Sequence, residues 1–113
     1  MNSDLTLLIP AKFESESLPI FLNELKQYDY KKLVVLDEKD TSTIDVVKKF
    51  SDIEIFYQKN SGYGNALIEG INHIKTNLFC IINADGSMNP SELKGMLNEI
   101  NNNNQDIVLA QDI

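Results

Sequence analysis

Five short apolar runs punctuate the chain: Leu5–Ile9 (LTLLI), Leu33–Leu36 (LVVL), Ile53–Tyr57 (IEIFY), Leu78–Ile82 (LFCII) and Ile107–Ala110 (IVLA). Each is too short for a helix and rich in β-branched or aromatic residues, so each predicts a strand. Between them the apolar positions recur at helical spacing. Leu18, Phe21, Leu22 and Leu25 stand at i, i+3, i+4 and i+7 and predict one buried helical face. Ile44, Val47 and Phe50 predict a second face, Leu67, Gly70, Ile71 and Ile74 a third, and Leu93, Met96, Leu97 and Ile100 a fourth.

The start signals agree with this division. Ser17 is placed to cap the first helix, with Pro19 in its first turn, where a missing N–H costs least. Thr41, Ser42 or Thr43 caps the second. A glycine turn, Asn60-Ser61-Gly62-Tyr63-Gly64-Asn65, opens the third. Asn89-Pro90-Ser91-Glu92 opens the fourth, with Asn89 as N-cap and Glu92 closing a capping-box-like pair.

Strands and helices therefore alternate from end to end. Strands of near-continuous apolar character are those of a parallel sheet covered on both faces. Right-handed crossovers then give a three-layer α/β/α, doubly wound, Rossmann-like sheet of about five mostly parallel strands. No repeat, linker or composition break divides residues 1–113, which read as a single domain.

Composition narrows the function classes. The chain has 113 residues, 42% of them hydrophobic and 24% charged, which suits a globular domain with a modest core. A formal net charge of -7 argues against a nucleic-acid binder, which needs a basic stripe to displace counterions, and against a basic patch for anionic lipid. No apolar run approaches the length of a membrane span. Residues 1–20 carry Pro10, Lys12, Glu14 and Glu16 where a signal peptide would be apolar, and Cys80 is alone in a buried-strand sequence. A cytoplasmic setting is the expectation, with membrane association open for a longer protein.

In such folds ligands sit beyond the carboxyl ends of the strands. Pro10-Ala11-Lys12-Phe13-Glu14 follows the first strand, Asp37-Glu38-Lys39-Asp40-Thr41-Ser42 the second, and Asn83-Ala84-Asp85-Gly86-Ser87 the fourth. Glu14, Asp37, Glu38 and Asp85 thus fall on one edge. Carboxylates brought together repel unless a cation or hydrogen bonds offset them. A hard cation such as Mg²⁺ or Mn²⁺ takes oxygen ligands and shares them with phosphates. The plainer reading of these residues is turns and caps. His73 stands off the inward stripe of its helix and reads as exposed and non-catalytic. Gly62-Tyr63-Gly64, followed by Asp85 at the next strand end, mimics a dinucleotide fingerprint, but Leu67 holds its third small position and the turn follows the third strand rather than the first.

Taken in order, four segments resemble the N-terminal half of family 2 glycosyltransferases of the GT-A fold, in the dolichyl-phosphate mannose synthase-like branch. Ile9-Pro10-Ala11-Lys12-Phe13-Glu14 is similar to the opening I-P-x-Y-N-E, and Val35 to Thr43 to V-D-D-G-S-x-D. Asn60 to Gly70 is similar to N-x-G-x-G-x-A-x-x-x-G, and Ile81 to Pro90 to the strand bearing the D-x-D motif. The resemblance implies that Pro10, Ala11 and Glu14 line a nucleoside pocket, with Glu14 toward the ribose, and that Asp37 and Glu38 face the base. It implies that Gly62 and Gly64 allow close backbone approach to a sugar diphosphate, with Asn83 and Ala84 also at the nucleotide. Asp85, with Asn83 and Ser87, would hold Mg²⁺ or Mn²⁺. The implied donor is a UDP- or GDP-linked sugar, and the implied reaction is transfer of a hexose to a lipid-phosphate or saccharide acceptor.

The sequence departs from that pattern at four places. Lys12 and Phe13 replace Tyr-Asn, Glu38 replaces the second Asp of the base-binding pair, and Asn83 replaces the first Asp of the metal motif. Members of the family run to about twice this length, so the chain is expected to be the donor-binding half of a longer enzyme, inactive by itself, and no residue is assigned as catalytic base. A non-catalytic α/β nucleotide-binding or interaction module is the alternative. A sugar nucleotidyltransferase fits less well, since Pro10–Glu14 contains no glycine. The uncapped fifth strand leaves homo-oligomerisation by edge pairing open.

Overall fold

The structure, a computed structural model, describes residues 5–12, 15–27, 29–82 and 107–109, the last three by their backbone. Five parallel strands form one sheet: β1 (Leu5–Pro10), β2 (Lys31–Asp37), β3 (Ile53–Gln58), β4 (Leu78–Ile81) and β5 (Ile107–Leu109). Their order is β3-β2-β1-β4-β5. Helices α1 (Ser17–Leu25), α2 (Thr41–Val47) and α3 (Tyr63–His73) make the crossovers. The helix expected after Asn89 lies outside the described residues.

The sheet has two apolar faces, and the helices divide between them. Leu5, Leu7, Ile9, Val34, Leu36, Cys80 and Ile82 point to one side, where Leu18, Phe21, Leu22 and Leu25 of α1 and Ile44 and Val47 of α2 meet them. Leu8, Leu33, Val35 and Ile81 point to the other, against Ala66 of α3. This is the doubly wound, Rossmann-like arrangement expected from strands of near-continuous apolar character. All six positions of β1 are buried, as befits the central strand.

The helix spacing is right in kind and shifted in detail. On α3 the buried positions are Ala66 and Gly70, with Leu67 and Ile74 half-buried, while Ile71, expected inward, is 36% exposed. The cause is the close approach at Gly70, where an added Cβ would meet Leu8 Cδ1 at 2.7 Å and Val35 Cγ2 at 3.0 Å. The contact line runs through the small residues, and Ile71 rotates outward. In the second helix the regular turns end at Val47; Phe50 packs against the same core from beyond the helix end. The first two caps also move. Ser17 and Thr41 are the first residues of their helices, preceded by Glu16 and Asp40.

Candidate functional site at the carboxyl edge of the sheet

The strand order reverses between β1 and β4: the chain steps outward from β1 to β3, returns through α3 on the opposite face, and resumes at β4 on the other side of β1. Crevices that take ligands in open α/β sheets lie beyond the carboxyl ends at such a reversal. Here those ends are Pro10-Ala11 and Ile82. The Ala11 N–H donates to Val35 O at 3.0 Å and the Ile82 N–H to Leu8 O at 2.9 Å, so both strands keep their pairing to the last residue before the edge. Pro10 and Ala11 are buried; what they give the edge is a fixed exit of the chain, Lys12 being the first exposed residue.

One strand over, β2 ends in Asp37. Its Oδ1 accepts the Lys39 N–H at 2.9 Å, and its carbonyl accepts the Asp40 N–H at 3.0 Å, closing a tight turn that leaves Glu38 exposed. Asp40, 4% exposed, then accepts the Ser42 hydroxyl on Oδ1 at 3.4 Å and offers its carbonyl to the Ile44 N–H at 3.1 Å. Asp37 and Glu38 are therefore held at the rim beside the reversal.

The glycine turn follows β3, an edge strand, two strands away from β1. Gly62 has φ +103°, a backbone open to glycine, and nothing lies within 4 Å of a Cβ built at Gly62 or Gly64. A dinucleotide fingerprint belongs at the first strand, in the crevice itself; this turn sits at the sheet's flank. Its organisation depends on two residues that the sequence reading passed over. Glu69 of α3 accepts the backbone N–H groups of Lys59 and Asn60 at 2.6 and 3.0 Å, and Gln58 donates from Nε2 to the carbonyls of Asn60 and Gly62 at 2.6 and 3.1 Å. The signal for both was a polar side chain on either flank of a glycine turn.

His73 belongs to the other end of the molecule. It is the last residue of α3, its Nε2 2.7 Å from Glu54 Oε2 at the start of β3, with its ring 4.7 Å from that of Phe56. The amino edge of the sheet also carries a cavity of about 210 Å³ lined by Thr6, Lys31, Lys75 and Thr76 among others. Cys80, in the core of β4, has its thiol pushed up to about 12 by burial. None of these groups reaches the carboxyl edge.

Glu14, Asn83, Ala84, Asp85 and Ser87 lie outside the described residues. Among the described residues no three His, Cys, Asp or Glu side chains gather as a metal site. No helix among them is long and apolar enough to cross a membrane.

Comparison with known proteins adds to this geometry. The family model described as glycosyl transferase family 2 matches residues 6–111. The chain is 30% identical over 95 residues to an uncharacterized glycosyltransferase of Mycobacterium bovis, and equally to uncharacterized glycosyltransferases of two strains of Mycobacterium tuberculosis. Each alignment takes in 84% of this chain and 43% of the relative, so the chain spans less than half the length of the curated relatives it matches.

Proposed function

The chain belongs to glycosyl transferase family 2, and on that premise we propose that its carboxyl edge binds the nucleoside diphosphate of an activated sugar. The observation that supports this most directly is the placement of Asp37 at the end of β2, one strand from the β1/β4 reversal. A carboxylate fixed there can accept the imide N–H of uracil or the N1–H and amino group of guanine. The Lys39 N–H on Oδ1 holds the group in orientation. Glu38 stands next to it, exposed, as a second acceptor.

The segment after β4 supplies the rest of the reading. Asn83, Asp85 and Ser87 are oxygen donors without a thiolate or imidazole among them, a set suited to Mg²⁺ or Mn²⁺. Such an ion, when bound, supplies Lewis-acid stabilisation of the departing diphosphate. The residues of this chain bind and orient the donor: Pro10 and Ala11 fix the chain exit beside the nucleoside, Glu14 meets the ribose, and Ala84, Gly62 and Gly64 let the backbone approach.

The whole enzyme would transfer a hexose to a saccharide hydroxyl or a lipid phosphate, in the manner of dolichyl-phosphate mannose synthase-like proteins. Calorimetric titration of UDP and GDP, each with Mn²⁺, Mg²⁺ or chelator, tests the reading. Metal-dependent binding of one nucleotide supports it and names the base. Absence of binding by a folded chain would transfer the weight to a non-catalytic module, the reading favoured by Lys12, Phe13, Glu38 and Asn83.

A further inference from the structure

The turn between β3 and α3 is gripped from both sides. On its amide side, Glu69 Oε1 accepts the Lys59 N–H at 2.6 Å, and Oε2 accepts the Asn60 N–H at 3.0 Å and Asn60 Nδ2 at 3.3 Å. On its carbonyl side, Gln58 Nε2 donates to Asn60 O at 2.6 Å and Gly62 O at 3.1 Å. Asn65 Nδ2 adds a bond to Ser61 O at 2.8 Å. Two successive backbone N–H groups converging on one carboxylate form a small anion nest, with Glu69 as its built-in occupant. Those amides, first Lys59 and then Asn60, hold the Glu69 carboxyl below the usual carboxylate range, with the Lys59 charge contributing least.

This grip does little for the core. The ionised oxygens of Glu69 are at the surface, and α3 is anchored to the sheet through Ala66 and Gly70 instead. What the grip fixes is the path of the chain as it leaves β3. Gln58, the last residue of β3, is the register partner of Asp37 at the end of β2. The gripped turn therefore starts beside the carboxylate proposed to read the base, and it contains the one described glycine with positive φ.

We infer that Glu69 is a positioning residue for donor binding: through the amides of Lys59 and Asn60 it holds the Lys59–Gly62 turn in place beside Asp37. Glu69 acts on the turn and has no contact with the donor. Without it, three donors turn to water and the turn loses its fixed shape, while the helix and sheet stay packed. The inference rests on the donor-site reading above.

The test combines amide NMR spectra, melting temperature and calorimetric titration of UDP and GDP with Mn²⁺, on the unmodified chain, Glu69→Gln, Glu69→Ala and Gln58→Ala. Glu69→Ala is expected to move the Lys59 and Asn60 amide resonances and to lower melting by a few degrees, the scale of a lost surface cap, with the chain still folded. It should weaken nucleotide binding about tenfold, the scale of reordering a freed turn on binding. Glu69→Gln, which keeps one acceptor oxygen, should fall between, and Gln58→Ala should weaken binding from the carbonyl side. An unmodified chain that binds neither nucleotide overturns the donor reading and this inference with it. Binding by the unmodified chain, with unchanged affinity in Glu69→Ala, overturns this inference alone and leaves Glu69 a local staple.

Discussion

A Cβ placed on Gly70 would stand 2.7 Å from Leu8 Cδ1, so helix α3 meets the central strand at a position where it has no side chain. Leu8 is fully buried, and Val35 Cγ2 closes the other side at 3.0 Å, so either methyl group moves only by displacing its buried neighbours. Gly70→Ala gains about 0.5–1 kcal/mol of helix propensity. Overpacking of this kind costs about 1–3 kcal/mol. The expected outcome is a net loss of about 1 kcal/mol in denaturant unfolding, larger for Gly70→Val. An equal or greater stability for Gly70→Ala would show that α3 can lift from the sheet.

Much of this architecture was legible in the residues. The five strands and three described helices follow from apolar runs and helical spacing, and the parallel sheet from strands of near-continuous apolar character. The misreadings have a common cause. Periodicity counts bulky residues, so Ile71 was placed inward and Ala66 was missed; the contact made by Gly70 lies along small residues that a hydrophobic count undervalues. The sequence signal puts caps at Ser17 and at hydroxyls in positions 41–43, one residue or more inside the helix starts: Ser17 outranks Glu16 as a cap residue, whereas Asp40 carries the cap signal as strongly as its neighbours and the pattern does not separate them.

The position of Asp37 was legible for a different reason: position after a strand is a topological fact, and Asp37 falls where the rule puts it. Glu69 was not legible. Its partners are nine and ten residues away in sequence, and only the return of the chain from β3 into α3 brings them together.

Cys80 gives a prediction with a worked sign. Burial raises its folded value to about 12, above the usual thiol value of about 8.5. The folded state then holds a proton that the unfolded state releases. Stability is unaffected by this group below the usual thiol value and falls as pH rises through the window up to about 12. The slope approaches about 1.4 kcal/mol per pH unit. Cys80→Ala should flatten that alkaline limb in urea titrations between pH 8 and 10. Native Cys80 should also resist a disulfide reagent until the chain unfolds; rapid modification of the folded chain would contradict its burial.

Asp37→Asn separates the turn from the proposed recognition. The amide oxygen still accepts the Lys39 N–H, so the turn that closes β2 survives and melting should change by no more than a degree or two. The charge offered to the base is gone. Hydrogen bonds to charged groups contribute about 1.5–3 kcal/mol, so nucleotide affinity should drop by about 10- to 100-fold in calorimetry. Equal affinities for the two proteins would remove Asp37 from the donor site while leaving the fold untouched.

The two glycines of the turn should respond in opposite directions. Gly62 has φ +103° and ψ 156°, a region that even Asn and Asp avoid, so Gly62→Ala and Gly62→Asn should both cost about 1–3 kcal/mol. Open space around the position removes any steric contribution; the cost is backbone strain alone. Gly64 lies inside the first turn of α3 with ordinary φ and the same open space, so Gly64→Ala should stabilise the chain by about 0.5–1 kcal/mol. On the donor-site reading that added methyl group stands where the sugar diphosphate approaches the backbone. Gly64→Ala is then the informative variant: greater stability in denaturant together with weaker UDP or GDP binding assigns the glycine to the ligand. Greater stability with unchanged binding would mean that the space beside Gly64 is solvent, and that the sugar diphosphate lies closer to the β1/β4 reversal.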